Sequence, residues 1–136
     1  MNWKYFGKLH TFFYRLSGGR LGYNMGPMKC VLVEVRGRKT GKLRHVPIVC
    51  YPYNDSVLVS ASNSGMERHP AWYYNLKANP ECTIWLGRDR FQVVAEELPV
   101  AEADAFLPTM FEMNPHQQEY REGTERKIPL IWFRKK

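Results

Sequence analysis

Cys30-Val31-Leu32-Val33-Glu34-Val35, then Gly37-Arg38-Lys39-Thr40-Gly41-Lys42-Leu43-Arg44, then Val46-Pro47-Ile48-Val49-Cys50-Tyr51: the chain reads here as two β-strands on either side of a basic turn. The flanking runs are rich in β-branched residues and bounded by turn residues, as strands are. The turn itself packs four cationic side chains, two glycines and a hydroxyl into eight residues. Glycine lets the backbone reverse tightly and lets a ligand come close. Lys and Arg bring charge and several donors, which suits phosphate or carboxylate groups. A solvated basic hairpin would have the same composition, so the turn alone leaves both readings open. A Walker A loop has four residues between its glycines and a Ser or Thr after the Lys. Here three intervene and Leu43 follows Lys42, which argues against a nucleoside triphosphatase.

Outward from this hairpin, the runs 30–36, 43–51, 56–62, 81–87, 90–97 and 127–134 have strand character. Tyr51-Pro52-Tyr53-Asn54-Asp55 and Gly87-Arg88-Asp89-Arg90 read as hairpin connections. Six short strands joined mostly by hairpins predict an antiparallel barrel. Two helices interrupt it. One runs from about Pro70 to Asn79, where Pro80 stops it, and the other from about Val100 to Met113, with Glu102 and Asp104 in an acidic first turn. The fold class is therefore α+β.

Ahead of the barrel, Tyr5, Phe6, Leu9, Phe12, Phe13 and Leu16 fall on one face at helical spacing, and Lys4, Lys8, Thr11 and Arg15 form a stripe opposite. Ser17-Gly18-Gly19 ends that segment. The expected division is 1–28, an amphipathic helix and connector, and 29–136, the barrel domain. Such a helix would cover one end of a barrel, or dock its aromatics and basic stripe on an anionic membrane surface.

The chain has 136 residues, 44% of them hydrophobic and 14% aromatic, enough for one domain with a real core. A net charge of +7 points to an anionic partner: nucleic acid, acidic lipid or a phosphorylated cofactor. The three cysteines, Cys30, Cys50 and Cys82, lack CxxC pairing, which favours a reducing, cytoplasmic setting without disulfides. His10, His45, His69 and His116 have no metal-ligand spacing, so no metal site is expected. No run has the apolar length of a membrane span or a signal peptide.

A second constellation follows the third strand. Ser60-Ala61-Ser62-Asn63-Ser64-Gly65 is a small-residue loop whose backbone N–H groups and hydroxyls are poorly covered. It leads into His69-Pro70-Ala71-Trp72-Tyr73-Tyr74-Asn75-Leu76-Lys77-Ala78-Asn79-Pro80. A helix N-terminus after such a loop favours negative or polar groups. Trp72 and Asn75, three apart, share a helical face and offer an indole and a carboxamide to a planar heterocycle. Read singly, Trp72 is equally a core anchor and Asn75 a local cap.

Taken in order, GRKTGKLR–VP, SASNSG, HPAWYYNLKANP and a late RKIPLIWF resemble the deazaflavin-dependent nitroreductase family: F420-dependent quinone and nitro reductases of the split β-barrel, FMN-binding-like fold. The resemblance covers about residues 30 to 134. It implies coenzyme F420 as cofactor and hydride transfer to a small electron acceptor, namely a quinone, an enone or a nitroaromatic. It further implies that Arg38, Lys39 and Arg44 grip the cofactor's phosphate and acidic tail, with Thr40 and Gly41 shaping the turn and Pro47 beside it. Ala61, Ser62 and Asn63 would contact the deazaflavin and its linker, with Ala71, Trp72 and Asn75 lining the other side. The substrate would meet Val49, Asn114, Gln117 and Tyr120, and the catalytic donors to the acceptor oxygen would be Ser62 and Tyr120.

This sequence also departs from the family pattern. Members often carry Lys at the position of Asn63 and Gly at that of Ser64. They also carry tyrosines where Val49, Asn114 and Gln117 stand here, whereas Tyr120 is retained. The substrate pocket is expected to hold more amide and less phenol. Two other readings remain at this stage. The same barrel could carry FMN, usually as a dimer with the flavin at the interface, although the Trp-Tyr-x-Asn run argues against it. A non-catalytic basic module for RNA or anionic lipid would also use the N-terminal stripe and Arg134-Lys135-Lys136. The reductase reading expects no nucleic-acid partner, leaves monomer or dimer open, and places the chain in the cytoplasm, with membrane association through the N-terminal helix as its extension.

Overall fold

The computed structural model describes residues 24–25 and 28–136. The amphipathic helix read over Tyr5 to Leu16 lies outside the described residues. The strands are β1 (Asn24–Met25), β2 (Met28–Arg36), β3 (Leu43–Tyr53), β4 (Ser56–Ser60), β5 (Glu81–Leu86), β6 (Asp89–Glu97) and β7 (Leu130–Lys135). Their order is β1-β2-β3-β4-β7-β6-β5, every pairing is antiparallel, and β5 pairs back onto β2. Strands β2 to β7 thus close a six-stranded antiparallel barrel, as the hairpin spacing predicts. The helices are α1 (Ala71–Ala78), α2 (Val100–Met113) and α3 (His116–Glu122).

Alternation sorts the side chains between two cores. Val31, Val33, Val35, Cys50, Val57, Val59, Ile84, Val93, Ile131 and Phe133 fill the barrel interior, where Tyr73 and Leu76 of α1 join them. Their neighbours in sequence face outward: Tyr51, Leu58 and Leu130 meet Met110 of α2 and Leu98 in a second cluster. A one-residue slip would exchange these sets, so the alternation pins the register. On the outer face Tyr53 packs edge-on against Phe106 and Trp132, fixing α2 on the barrel wall.

Each expected strand differs from the structure by one to three residues at one end or both, and the short strand β1 and one helix are additional. The third strand stops at Ser60 rather than residue 62, because φ turns positive at Asn63 (48°), Ser64 (54°) and Gly65 (80°). The last strand begins at Leu130 rather than residue 127, directly after Pro129, which has no N–H to give a ladder. Helix α3 is additional to the two expected ones. Its sequence, HQQEYRE, buries only Gln117, so no apolar periodicity announces it. The expected limits of α2 match the structure, and those of α1 differ by a residue at each end. No described helix is long and apolar enough to cross a membrane.

Candidate functional site

The basic turn is held by its own backbone and by its neighbours. Gly37 N–H donates to Lys42 O and Gly41 N–H to Gly37 O, both at 2.8 Å. The Thr40 hydroxyl accepts from Lys42 N–H at 3.2 Å. A Cβ on residue 37 would stand 2.7 Å from that oxygen, so Gly37 makes room for the brace. Gly41 supplies the positive φ of 72° that closes the turn. Arg36 Nη1 donates to Gly41 O at 2.7 Å.

Arg38 then ties the turn to α1. Its backbone N–H and its Nη1 both donate to Asn75 Oδ1, at 3.1 and 2.7 Å, and Nη1 also reaches Ala71 O at 3.5 Å. The guanidinium lies over the Tyr74 ring, 5.3 Å from its centroid. Asn75 is therefore a long-range latch rather than a local cap. Three residues singled out from the sequence, Arg38, Ala71 and Asn75, come together here. The side chains of Lys39, Lys42 and Arg44 are exposed and have no hydrogen-bond or ion-pair partner among the described residues. Trp72 is half-buried against the interior cluster, with Val46 and Ile48 of β3 also packed there. Pro47 points to the opposite face of β3 and is half-buried.

The small-residue loop lies at the end of β4. Ala61 is buried in the interior cluster, and Ser62 is 8% exposed. Gly65 N–H donates to Ser62 O and Met66 N–H to Asn63 O, at 2.9 and 3.1 Å. Asn63 Nδ2 donates to Arg68 O at 3.0 Å. Helix α3 covers this corner. Gln117, 5% exposed, donates Nε2 to Ser62 Oγ at 3.3 Å, while its Oε1 is buried without a partner. Tyr120 packs its backbone beneath Gly65 and stacks on His116, 6.4 Å between ring centroids. Its hydroxyl has no hydrogen bond among the described residues.

Asn114 and Val49 stand apart from this corner. Asn114, 6% exposed, donates Nδ2 to Tyr51 Oη at 3.0 Å and accepts from His116 N–H at 3.2 Å. Both ends of its amide are engaged within the protein. Val49 packs on the outer cluster beneath α2. The amides that the resemblance places around a substrate are thus buried, while Ser62 lies in the loop and Tyr120 packs against it at Gly65.

Two arginines that the sequence reading leaves unassigned hold the corner from behind. Arg121 donates Nη1 to Ile128 O at 3.1 Å and Nη2 to Ser60 Oγ at 3.3 Å. Arg126 donates to Met66 O, Ala61 O, Ser62 O and His69 Nδ1 at 2.8 to 3.0 Å. Burial pulls the pKa of both below the usual arginine range. His69 is likewise pushed down, by burial and then by Arg126. Arg126 opens the RKIPLIWF motif, but the resemblance gives it no role, and just ahead of an apolar strand a surface arginine looks the same.

Burial raises Cys30 to about 11 and Cys50 and Cys82 to about 12, so all three are thiols at neutral pH rather than nucleophiles. A cleft of about 200 Å³ lies elsewhere, between α2 and the segment before β7. Glu97 and Asp104 line it together with His69, Arg121 and Lys127, so its charge is mixed, and none of the residues that the resemblance assigns to cofactor or substrate lines it.

The closed six-stranded antiparallel barrel, with its inserted helices, defines a split-barrel protein. The chain belongs to the F420H(2)-dependent quinone reductase family, whose sequence profile matches residues 6–133. It is 33% identical over 128 residues to an F420H(2)-dependent quinone reductase of Mycobacterium tuberculosis (strain ATCC 25618 / H37Rv), covering 91% of this chain and 86% of that protein. Among solved structures it is similar to an F420-H2 dependent reductase, FDR-A (TM-score 0.68, 34% identity, 75% of this chain and 90% of that one). It is also similar to a protein solved as a domain-swapped dimer (TM-score 0.71, 29% identity, 91% and 95%). The resemblance read from the four motifs is thereby borne out, as are the split barrel and a reductase family that uses F420.

Proposed function

We propose that this protein transfers hydride from reduced coenzyme F420 to a quinone, with the basic turn as its grip on the cofactor. The observation that carries the reading is the division of labour in the turn. Arg36 and Arg38 are consumed in holding it against itself and α1, and this leaves Lys39 and Arg44 exposed without partners. The donor set fits the cofactor: cations for phosphate and carboxylates, uncovered N–H groups in the loop, and an indole for a flat ring.

In this reading Lys39 and Arg44 bind the anionic tail, and Thr40 and Gly41 preserve the turn's shape. Arg38 and Asn75 fix the distance from turn to helix, with Ala71 and Pro47 at its edges. Trp72 and the loop Ala61-Ser62-Asn63 line the ring. The deazaflavin, when bound, supplies a hydride donor with little one-electron chemistry. As hydride reaches the acceptor, negative charge grows on its oxygen and needs a donor. Gln117 donates to Ser62 Oγ, which leaves the Ser62 proton for that oxygen. The Tyr120 hydroxyl is the other donor. Enones and nitroaromatics place the same charge on oxygen and are served by the same two hydroxyls. Quinones are commonly lipid-borne, and the aromatic and basic pattern of residues 4–16 supports a peripheral contact with the cytoplasmic face of a membrane.

Titration with F420 and with FMN, read by tryptophan quenching, tests the cofactor. F420 is expected to bind, and a quinone to oxidise reduced F420 in the protein's presence. Binding of FMN without F420 overturns the reading.

A further inference from the structure

We propose that Arg126 is a positioning residue, which sets the donors of the Ser62–Ser64 turn that face the cofactor. The proposal rests on the F420 reading above and adds a residue that the family motifs leave unassigned.

A single guanidinium meets four acceptors drawn from residues 61 to 69. Nε donates to Met66 O at 2.8 Å, Nη2 to Ala61 O at 3.0 Å and Ser62 O at 2.8 Å, and Nη1 to His69 Nδ1 at 2.8 Å. The fork is planar, so these hydrogen bonds fix the carbonyls in direction as well as position. The segment that they hold is one the backbone resists. Asn63 and Ser64 stand at φ 48° and 54°, a left-handed region unfavourable to residues with a Cβ.

The carbonyls of this turn are spent on the protein side. Ser62 O accepts from Arg126 and from Gly65 N–H, and Asn63 O accepts from Met66 N–H. The N–H groups of Ser62, Asn63 and Ser64 make no hydrogen bond among the described residues. Ser62 is right-handed (φ −74°, ψ −29°) and Asn63 left-handed, the alternation that makes successive N–H groups converge on one point. Arg126 draws the oxygens one way and thereby presents the hydrogens the other. No carboxylate makes an ion pair with Arg126 among the described residues, although Glu67, Glu122 and Glu125 line the same cleft. The chemistry served is a negatively polarised oxygen of the ring system, separate from the tail held by Lys39 and Arg44.

The test uses full-chain Arg126→Gln and Arg126→Lys, with two ligands: F420 and the deazaflavin riboside that lacks phosphate and tail. Lysine keeps the charge but cannot form the fork. Both variants are expected to lose about tenfold in affinity for the riboside and for F420 alike, the loss that accompanies one or two misplaced hydrogen bonds. The salt dependence of F420 binding should stay at the wild-type slope, since the tail grip is untouched. A lowered melting temperature with riboside affinity within about twofold of wild type would reduce Arg126 to a structural brace and overturn the proposal. Should Arg126→Gln not fold, Arg126→Lys carries the same comparison. His69→Gln, which changes one of the four acceptors, should shift affinity in the same direction by less. Failure of the wild-type protein to bind F420 overturns the cofactor reading and this proposal with it. Normal F420 binding with indifferent Arg126 variants overturns this proposal alone.

Discussion

The turn Gly37–Arg44 and the corner Ser60–Met66 both lie at the candidate site, yet they manage positive charge in opposite ways. In the turn Lys39, Lys42 and Arg44 stand in water, and only Arg36 and Arg38 are committed to structure. In the corner Arg121 and Arg126 are partly buried and donate to carbonyls, a hydroxyl and an imidazole, with Arg121 Nε left without a partner. The exposed charges add little to folding, because solvent screens them. Their donors are therefore free for a ligand. The half-buried charges cost free energy to desolvate, and their hydrogen bonds offset part of that cost. Affinity should be tunable in the turn without loss of fold, whereas the corner should couple fold and function.

The sharpest break of this contrast is removal of the free charges. Lys39→Ala with Arg44→Ala should weaken F420 binding by about 1.5 kcal/mol for each charge-assisted hydrogen bond removed, roughly a hundredfold together at low salt. Unfolding by urea should change by only about 0.5 kcal/mol or less, as for surface substitutions. The binding difference should shrink as salt rises, since exposed charges are screened. Unchanged affinity would make the turn a solvated hairpin.

The second comparison uses a glycine from each region. Gly41 has φ 72° and open space where a Cβ would stand, so Gly41→Ala should cost about 1 kcal/mol, the left-handed penalty alone. Gly65 has φ 80°, and a Cβ there would stand 3.3 Å from Tyr120 Cα. That neighbour is backbone and cannot swing aside, so Gly65→Ala should cost about 2 kcal/mol or more. Urea midpoints with unchanged m-values would read both. Equal costs would mean that α3 yields easily over the corner.

The same contrast explains what the sequence made legible. Interior strands such as Val31-Leu32-Val33-Glu34-Val35 announce themselves through β-branched residues, and an exposed basic turn through composition. Both signals are local. Helix α3 buries an amide instead of a hydrocarbon stripe, so its periodicity is silent. Asn114 and Gln117 read as substrate-facing amides because they stand where family members carry tyrosines near the substrate. Their burial becomes intelligible only with Tyr51 and Ser62, which lie 63 and 55 residues away in the chain. Arg126 is the extreme case, since every acceptor it meets is at least 57 residues distant. Motif resemblance carried the family and its cofactor, because the family's order of motifs spans those distances.

The smallest effect separates the regions by acid. Arg126 can only donate, so His69 must present a lone pair on Nδ1 and be neutral. Burial, then Arg126, hold its pKa below the ordinary 6.5, with Lys77 adding to the shift and Glu97 opposing it. Below that ordinary value the unfolded chain takes up a proton that the folded protein refuses. Stability from this group is therefore present above the unfolded pKa and is lost as pH falls, from about 6.5 toward the lower folded value. The sensitivity belongs to the corner, where His69 meets Arg126. Urea unfolding of wild type and His69→Gln at stepped pH isolates it from His45 and His116, which both proteins share. The wild-type curve should drop more steeply on acidification, and parallel curves would show that protonating the imidazole costs the folded protein nothing extra.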